Sequence, residues 1–308
     1  MFLGNSLNFS ITDLSGELAA LGGACLWAVA TVVYGRLGSY YPPLELNLMK
    51  GVIAIALIIL TLIFGNEQLQ LLNLNACGLL LLSGVIGIAL GDTAYFAAIN
   101  CLGARRALLM ETLAPPLVAV IALIFLQEQL TIGAWCGIFL TVLGIAWVIT
   151  ERVPGSAVKQ DQLLKGIGLG ILAALAQASG AVLSRAALAQ TTISPLFSTL
   201  LRLSGGMVIL LLLTGWFRRQ VGFQVKSLPS KQALGAIFLA AFIGTYLGIW
   251  LQQIAFKFTA AGIAQTLLAT SPLFVLPIVV WMGEVVSLRA ILGVLVAIGG
   301  IALLLGFH

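Results

Sequence analysis

The segments "EQLTIGAWCGIFLTVLG" (residues 128–144) and "EVVSLRAILGVLVAIGG" (residues 284–300) carry one pattern, Glu-x2-[Thr/Ser]-x5-Gly-x6-Gly. Glu128, Thr131, Gly137 and Gly144 answer Glu284, Ser287, Gly293 and Gly300. Further pairs precede each segment in the same order. "APPL" (114–117) stands opposite "SPLF" (271–274). "GIALG" (87–91) runs on to Ala98 at the spacing that carries "GTYLG" (244–248) on to Ala255. Pro43 reaches Lys50 in seven residues, as Pro195 reaches Arg202. Any one match is weak, but their shared order identifies an internal duplication.

The duplicated material is apolar. Of the 308 residues, 61% are hydrophobic and 8% charged, against about 25% charged in a soluble domain. A soluble fold has no means of hiding that much apolar surface, so the chain reads as an all-α polytopic membrane protein. A bilayer-spanning helix needs about 20 apolar residues. Ten such runs occur, at roughly 17–36, 44–65, 77–98, 105–126, 132–150, 165–184, 195–217, 233–256, 261–282 and 287–307. The polar stretch "ERVPGSAVKQDQLL" (151–164) separates two groups of five. The expected organisation is an N-terminal segment (1–16), a first repeat (17–150), a linker (151–164) and a second repeat (165–308). An odd number of helices per repeat makes the second copy enter the membrane upside down. That predicts ten transmembrane helices as two inverted five-helix repeats, a plan of secondary transporters whose substrate site lies between the copies.

The same residues carry a resemblance. Two five-helix copies, each closing with Pro-x11–12-Glu-x2-[Ser/Thr]-x5-Gly-x6-Gly, are similar to the two-copy, EamA-like branch of the drug/metabolite transporter superfamily. The run "GDTAYFAAINCLGA" (91–104) resembles that family's third helix. The resemblance covers about residues 17–307. It implies a ten-helix carrier of small metabolites that works without ATP. It names no substrate, because family members move very different solutes.

Charges inside a span are costly and usually functional. Four lie well inside the runs: Lys50, Asp92, Glu111 and Arg202. Asp92 precedes the expected turn between the third and fourth helices by about as many residues as Glu111 follows it. At a rise of about 1.5 Å per residue, the two carboxylates share one depth on neighbouring helices. Lys50 is expected at a similar depth, with Arg202, its counterpart in the inverted copy, near the other side. One reading has Asp92 and Glu111 facing one cavity and interacting with Lys50. Two close carboxylates cannot both ionise cheaply, so the pair can load and release a proton. Neither acid has an acidic counterpart in the second repeat, so the coupling would be one-sided. Two other readings stand beside it: a static Lys–acid pair that fixes packing, or an acid that snorkels to the interface. In a further reading, Lys50 and Arg202 attract an anionic metabolite, such as a phosphate ester, from opposite vestibules. Two deep cations against two deep acids favour a neutral or zwitterionic solute instead.

Trp27, Tyr95, Asn100, Gln177, Tyr246 and Gln253 are further candidates for cavity lining, with Trp250 and Gln252 beside them. Each can also serve as an interhelical hydrogen-bonding group, a role often worth under about 1 kcal/mol. Glu128 and Glu284 are expected to be structural, beside helices that Thr131 and Ser287 would cap. Pro115, Pro116, Pro272 and Pro277 are expected to bend or loosen the fourth and ninth helices. The Gly-x3-Gly pairs 87/91 and 244/248 are read as close packing within one chain, with a dimer interface as the lesser alternative.

Other chemistries find no foothold. The sole histidine is His308, so neither histidine-based catalysis nor HExxH zinc chemistry is expected. Asp13 and Asp161 are the other aspartates, so no second intramembrane aspartate joins Asp92 as a protease would require. No Walker A pattern, cofactor motif or metal-ligand set is present, and no enzyme activity is expected. The four cysteines form no CxxC and read as small buried groups. The five surplus positive charges do not cluster as nucleic-acid binding would require. The expected partners are a small-molecule substrate, the lipid bilayer and protons as coupling ion, with the chain as monomer or homodimer. Export across a plasma (inner) membrane is the expected direction, and a non-transporting receptor or assembly protein is the alternative class. The first 16 residues hold no Lys or Arg, so insertion is expected to begin with the first helix. Most Lys and Arg lie near the 1–2, 3–4, 5–6, 7–8 and 9–10 connections, which places both termini outside by the positive-inside rule. The family resemblance implies the reverse.

Overall fold

The computed structural model describes residues 14–38, 40–65, 73–102, 107, 110–149, 160–221, 231–274, 277 and 288–306. Glu284, Ser287, Arg105, Arg106, Arg152, Lys159, Lys226 and His308 lie outside the described residues. The principal helices are α1 (Ser15–Leu37), α2 (Pro43–Phe64), α3 (Leu74–Leu102), α4 (Ala114–Phe125), α5 (Ile132–Ile149), α6 (Gln160–Leu188), α7 (Pro195–Val221), α8 (Lys231–Phe258), α9 (Ala261–Leu268) and α10 (Leu288–Gly306). No strand occurs among the described residues. Helices dominate because the hydrocarbon core offers no water to the backbone, so each N–H and C=O must be satisfied within its own segment. Six helices, α1, α2, α3, α6, α7 and α8, are long and apolar enough to cross a membrane. Shorter apolar stretches come from α4, α5 and α10.

The ends of the helices follow from local chemistry. Pro43 opens α2, where its missing N–H costs nothing. The Asn73 side chain accepts from the N–H groups of Asn75 and Ala76 and so caps α3. Thr131 Oγ1 accepts from Ala134 N at 3.1 Å at the start of α5, as the sequence suggests. Glu128 does not serve that helix. Its carboxylate reaches Ala261 N, at the start of α9, at 2.9 Å.

Two sequence expectations change in form. The fourth run does not bend but starts afresh: turns at Thr112 and Leu113 precede α4, with Pro115 in its first turn. The ninth run stops at Leu268 and turns at Ala269 and Thr270, two residues before Pro272. Proline lacks the donor that a continuous helix needs and fits the first turn of a new one. The third helix of each half carries a wider, π-helical stretch, Gly84–Asp92 in α3 and Ala241–Leu247 in α8. Such stretches are rare and recur at functional sites.

Small residues bring the helices together in antiparallel pairs that link the two halves. Along α1 and α8, a methyl group added at Gly16 would strike Thr259, one at Gly244 would meet Ala30, and one at Gly248 would meet Trp27. Along α3 and α6, a methyl at Gly166 would strike Leu102, one at Gly91 would lie 3.2 Å from the Ala176 methyl, and one at Gly180 would lie 3.2 Å from Gly87 Cα. The closing motif explains itself in the α5–α10 pair: Gly144 lies against Ala297 and the Gly293 carbonyl, and Gly300 lies against Thr141 and the Gly137 carbonyl. Close backbone approach maximises dispersion where lipid removes the hydrophobic drive. Leu211, Leu212, Phe64 and Phe125 point outward and are exposed. That is the expected surface for a lipid-facing protein.

The termini of the helices fix two ends of the bundle. Tyr34 of α1 and Phe96 of α3 meet edge to face, with centroids 5.8 Å apart, near the end where α1 joins α2. Gly16 meets Thr259 at the opposite end.

Candidate functional site

Between these helices lies a cavity of about 150 Å3. Its walls come from both halves: α1, α2, α3 and residues 111–112 from the first, and α6, α7, α8, α9 and residues 269–272 from the second. All four deep charges reach it: Lys50, Asp92, Glu111 and Arg202.

Lys50 Nζ donates to Asp92 Oδ2 at 2.5 Å. Lys50 is only 6% exposed, and its ammonium lies over the rings of Phe96 and Tyr34, 5.0 and 5.8 Å from their centroids. The other Asp92 oxygen accepts from Gln177 Nε2 at 2.9 Å, which ties α6 to the pair. Asn47, one turn before Lys50, donates to the Ile88 carbonyl (2.9 Å) and to Thr93 Oγ1 (3.1 Å). The wide stretch of α3 is thereby clamped to α2 just where Asp92 leaves it. The wide stretch of α8 is clamped in the same manner: Trp27 Nε1 donates to the Gly244 carbonyl at 2.6 Å, and the hydroxyls of Tyr34 and Thr245 lie 3.1 Å apart.

Arg202 is 2% exposed and is held by amides. Its Nη1 donates to Gln252 Oε1 (2.8 Å) and to Gln253 Oε1 (3.2 Å), while its Nε is buried with no hydrogen-bond partner among the described residues. Glu111 Oε1 is likewise buried and unpartnered among them. The site thus holds one paired cation and acid, one cation solvated by amides, and one carboxyl oxygen with open hydrogen-bonding capacity.

Of the lining candidates, Trp27, Tyr95 and Gln177 reach the cavity. Three do not. Asn100 lies eight residues beyond Asp92, about 80° around the helix from the facing stripe of Asp92, Tyr95, Phe96 and Ile99, and is exposed. Tyr246 turns into an apolar cluster, stacks on Phe242 and shares a 2.7 Å hydrogen bond with Thr61 Oγ1. Gln253 sits behind Arg202 and donates to Ser198 Oγ at 3.2 Å, while its neighbour Gln252 lines the cavity. Arg202 lines the same cavity as Lys50, but from nearer the opposite end, seven residues into α7 from the side where Ile193 meets Lys257. The close packing of α3 on α7 brings it there, since a methyl at Gly84 would overlap the Arg202 carbonyl oxygen. Sequence reasoning missed Tyr34, Thr31, Thr112 and Gln265. For Thr112 a signal was present, because it lies at the break before the prolines of α4, whereas Gln265 lies inside α9.

The EamA-like transporter family matches the chain twice, over residues 14–150 and 164–306. The chain belongs to the EamA-like transporter family. An "uncharacterized transporter" from Clostridium kluyveri is 30% identical over 135 residues, which is 43% of either chain, so less than half of that relative's length is matched. One solved crystal structure superposes on the chain with a TM-score of 0.76, covering 94% of this chain and 96% of the other at 16% identity. At that identity the likeness speaks for the fold alone. This EamA-like protein is an integral, multi-pass membrane protein of a transporter family, and its cavity is read in that light.

Proposed function

We propose that this EamA-like protein is a secondary active carrier that exports a small zwitterionic or neutral metabolite from the cell by alternating access in exchange for protons. The observation that carries this reading is the charge inventory of the cavity. Lys50 and Asp92 neutralise each other. What remains for a solute is Arg202, whose buried Nε has no partner among the described residues, and Glu111, whose buried Oε1 has none among them either. A carboxylate fits the first and an ammonium the second. A phosphate ester would want surplus positive charge, and Lys50 is already engaged.

Proton coupling follows from competition. Glu111 holds either a proton or the ammonium of a solute, not both at full strength. Solute and proton therefore cross in opposite directions on the same carboxyl group. The proposed frame is ten spans in two inverted repeats. It is supported by the antiparallel pairing of α1 with α8 and of α3 with α6, by the matched wide stretches, and by the two family matches. The proposed setting is the plasma (inner) membrane, and the proposed transporting unit is one chain, a reading supported by a single copy lining the cavity named above.

The test is counterflow of radiolabelled neutral amino acids into proteoliposomes, with glucose 6-phosphate as the contrasting probe. At least one amino acid should accumulate and the phosphate ester should not. An outward-facing receptor or assembly protein would move neither, and uptake of the ester alone would overturn the zwitterion reading.

A further inference from the structure

The cavity reaches toward the α1–α2 end of the bundle through Trp27 to Tyr34, Lys50 and Asp92 to Ile99, and it extends the other way to Arg202 and Gln252, about two turns from the far end. At that far end stands a second ionic cluster that touches none of the cavity. Arg185 Nε donates to Glu128 Oε1 at 2.6 Å. Its Nη1 donates to the carbonyls of Phe256 (3.0 Å) and Lys257 (2.9 Å), the last turn of α8. Glu128 Oε2 accepts from Ala261 N, the first residue of α9, at 2.9 Å. Lys257 Nζ closes the circuit by donating to the Ile193 carbonyl at 2.7 Å.

Each contact answers an end-of-helix need. The last carbonyls of a helix lack partners and carry partial negative charge, so a guanidinium suits them. The first N–H groups carry partial positive charge, so a carboxylate suits them. Together the contacts tie the α4–α5 connection of the first half to the α6–α7 and α8–α9 connections of the second. Gln127, just before Glu128, has a left-handed φ of 56°. That conformation is uncommon for a residue with a side chain and needs support from its surroundings. Only eight residues long, α9 runs from this cluster to the cavity, beginning at Ala261 and placing Gln265 and Leu268 in the cavity wall.

Resting on the reading of the chain as an alternating-access carrier, we propose that the Glu128–Arg185 ion pair is the closed gate at the cavity's far end, and that α9 links its opening to the occupied cavity. Release of Ala261 by Glu128 frees α9 at one end, and a solute against Gln265 and Leu268 acts on the other. Closing the gate restores the capped helix and blocks the far path. The gate then alternates with access at the α1–α2 end.

The test uses a membrane-impermeant maleimide on Thr31→Cys, a cavity position outside the charged machinery, in a chain with Cys25, Cys77, Cys101 and Cys136 replaced by alanine. In oriented vesicles the thiol should react from the α1–α2 face and barely from the other. Glu128→Gln or Arg185→Gln should raise the rate from the far face at least about tenfold, with the near-face rate unchanged as the check of folding. An unchanged far-face rate in both variants overturns the gate. Should the near-face rate collapse, a second arm decides: Glu128→Cys with Arg185→Cys, joined by a short bifunctional thiol reagent. Cross-linking should stop amino-acid counterflow and leave near-face labelling of the cavity intact. Counterflow at the uncross-linked rate overturns the gate. Labelling needs no transported solute, so a gate that opens in a protein moving no probe would sink the carrier reading alone.

Discussion

Replacing Asp92 by asparagine changes almost no volume and removes one charge. Its consequence can be worked from the contacts. Lys50 is 6% exposed and has Asp92 Oδ2 at 2.5 Å. After the change its ammonium faces an amide and two ring faces. A cation over an aromatic ring gains about 0.5–2 kcal/mol, well short of what a buried charge loses. Removing one partner of a buried ion pair costs about 3–5 kcal/mol. Removing both charges avoids the stranded cation, so Lys50→Met with Asp92→Leu should lie within about 1 kcal/mol of wild type or above it. With Lys50→Met and Asp92→Leu measured singly as the other two corners, the double-mutant cycle should show a coupling of about 3 kcal/mol or more. The assay is thermal unfolding of the purified protein in detergent, followed by tryptophan fluorescence. At about 2 °C per kcal/mol for a chain of this size, Asp92→Asn should unfold roughly 6–10 °C early and the double variant within a few degrees of wild type. Wild-type stability in Asp92→Asn, or a double variant as weak as the single one, would refute the reasoning.

Two further outcomes probe packing and the boundary of the site by the same unfolding assay. Gly84→Ala drives a methyl into the Arg202 carbonyl, backbone against backbone, and should cost about 2 kcal/mol or more; Gly78→Ala, with open space around it, should cost nothing or stabilise slightly. Tyr246→Phe loses the hydrogen bond to Thr61, should cost under about 1 kcal/mol, and should leave amino-acid counterflow at the wild-type rate because its side chain is off the cavity.

The membrane class and the helical content are legible in the sequence because lipid imposes them on composition. The closing glycines, Gly137, Gly144, Gly293 and Gly300, are legible as a pattern, yet their role in the α5–α10 contact needs the fold. Depth along a helix follows from counting, and Lys50, Asp92 and Glu111 line one cavity. Rotation follows less well. Eight residues on from Asp92 along regular helix, Asn100 has turned about 80° away from it and is exposed off the cavity wall. Arg202 stands seven residues into α7, whose start adjoins the Ile193–Lys257 contact at the far end, so it lines the same cavity as Lys50 from the other side; that the two depths meet in one cavity needs the fold. Glu128 shows a third limit: its motif places it beside its own helix, while its carboxylate serves a helix 133 residues away.

The central claim is that one cavity carboxyl, Glu111, trades a proton for a solute. Its most direct measurement is pH-gradient-driven accumulation of a labelled neutral amino acid in proteoliposomes, wild type against Glu111→Gln. The wild type should accumulate the label about tenfold or more over the control without a gradient, and Glu111→Gln should lose that stimulation, its label-for-label exchange needing more solute because the ammonium has lost its carboxylate. Full gradient-driven accumulation by Glu111→Gln would contradict the account.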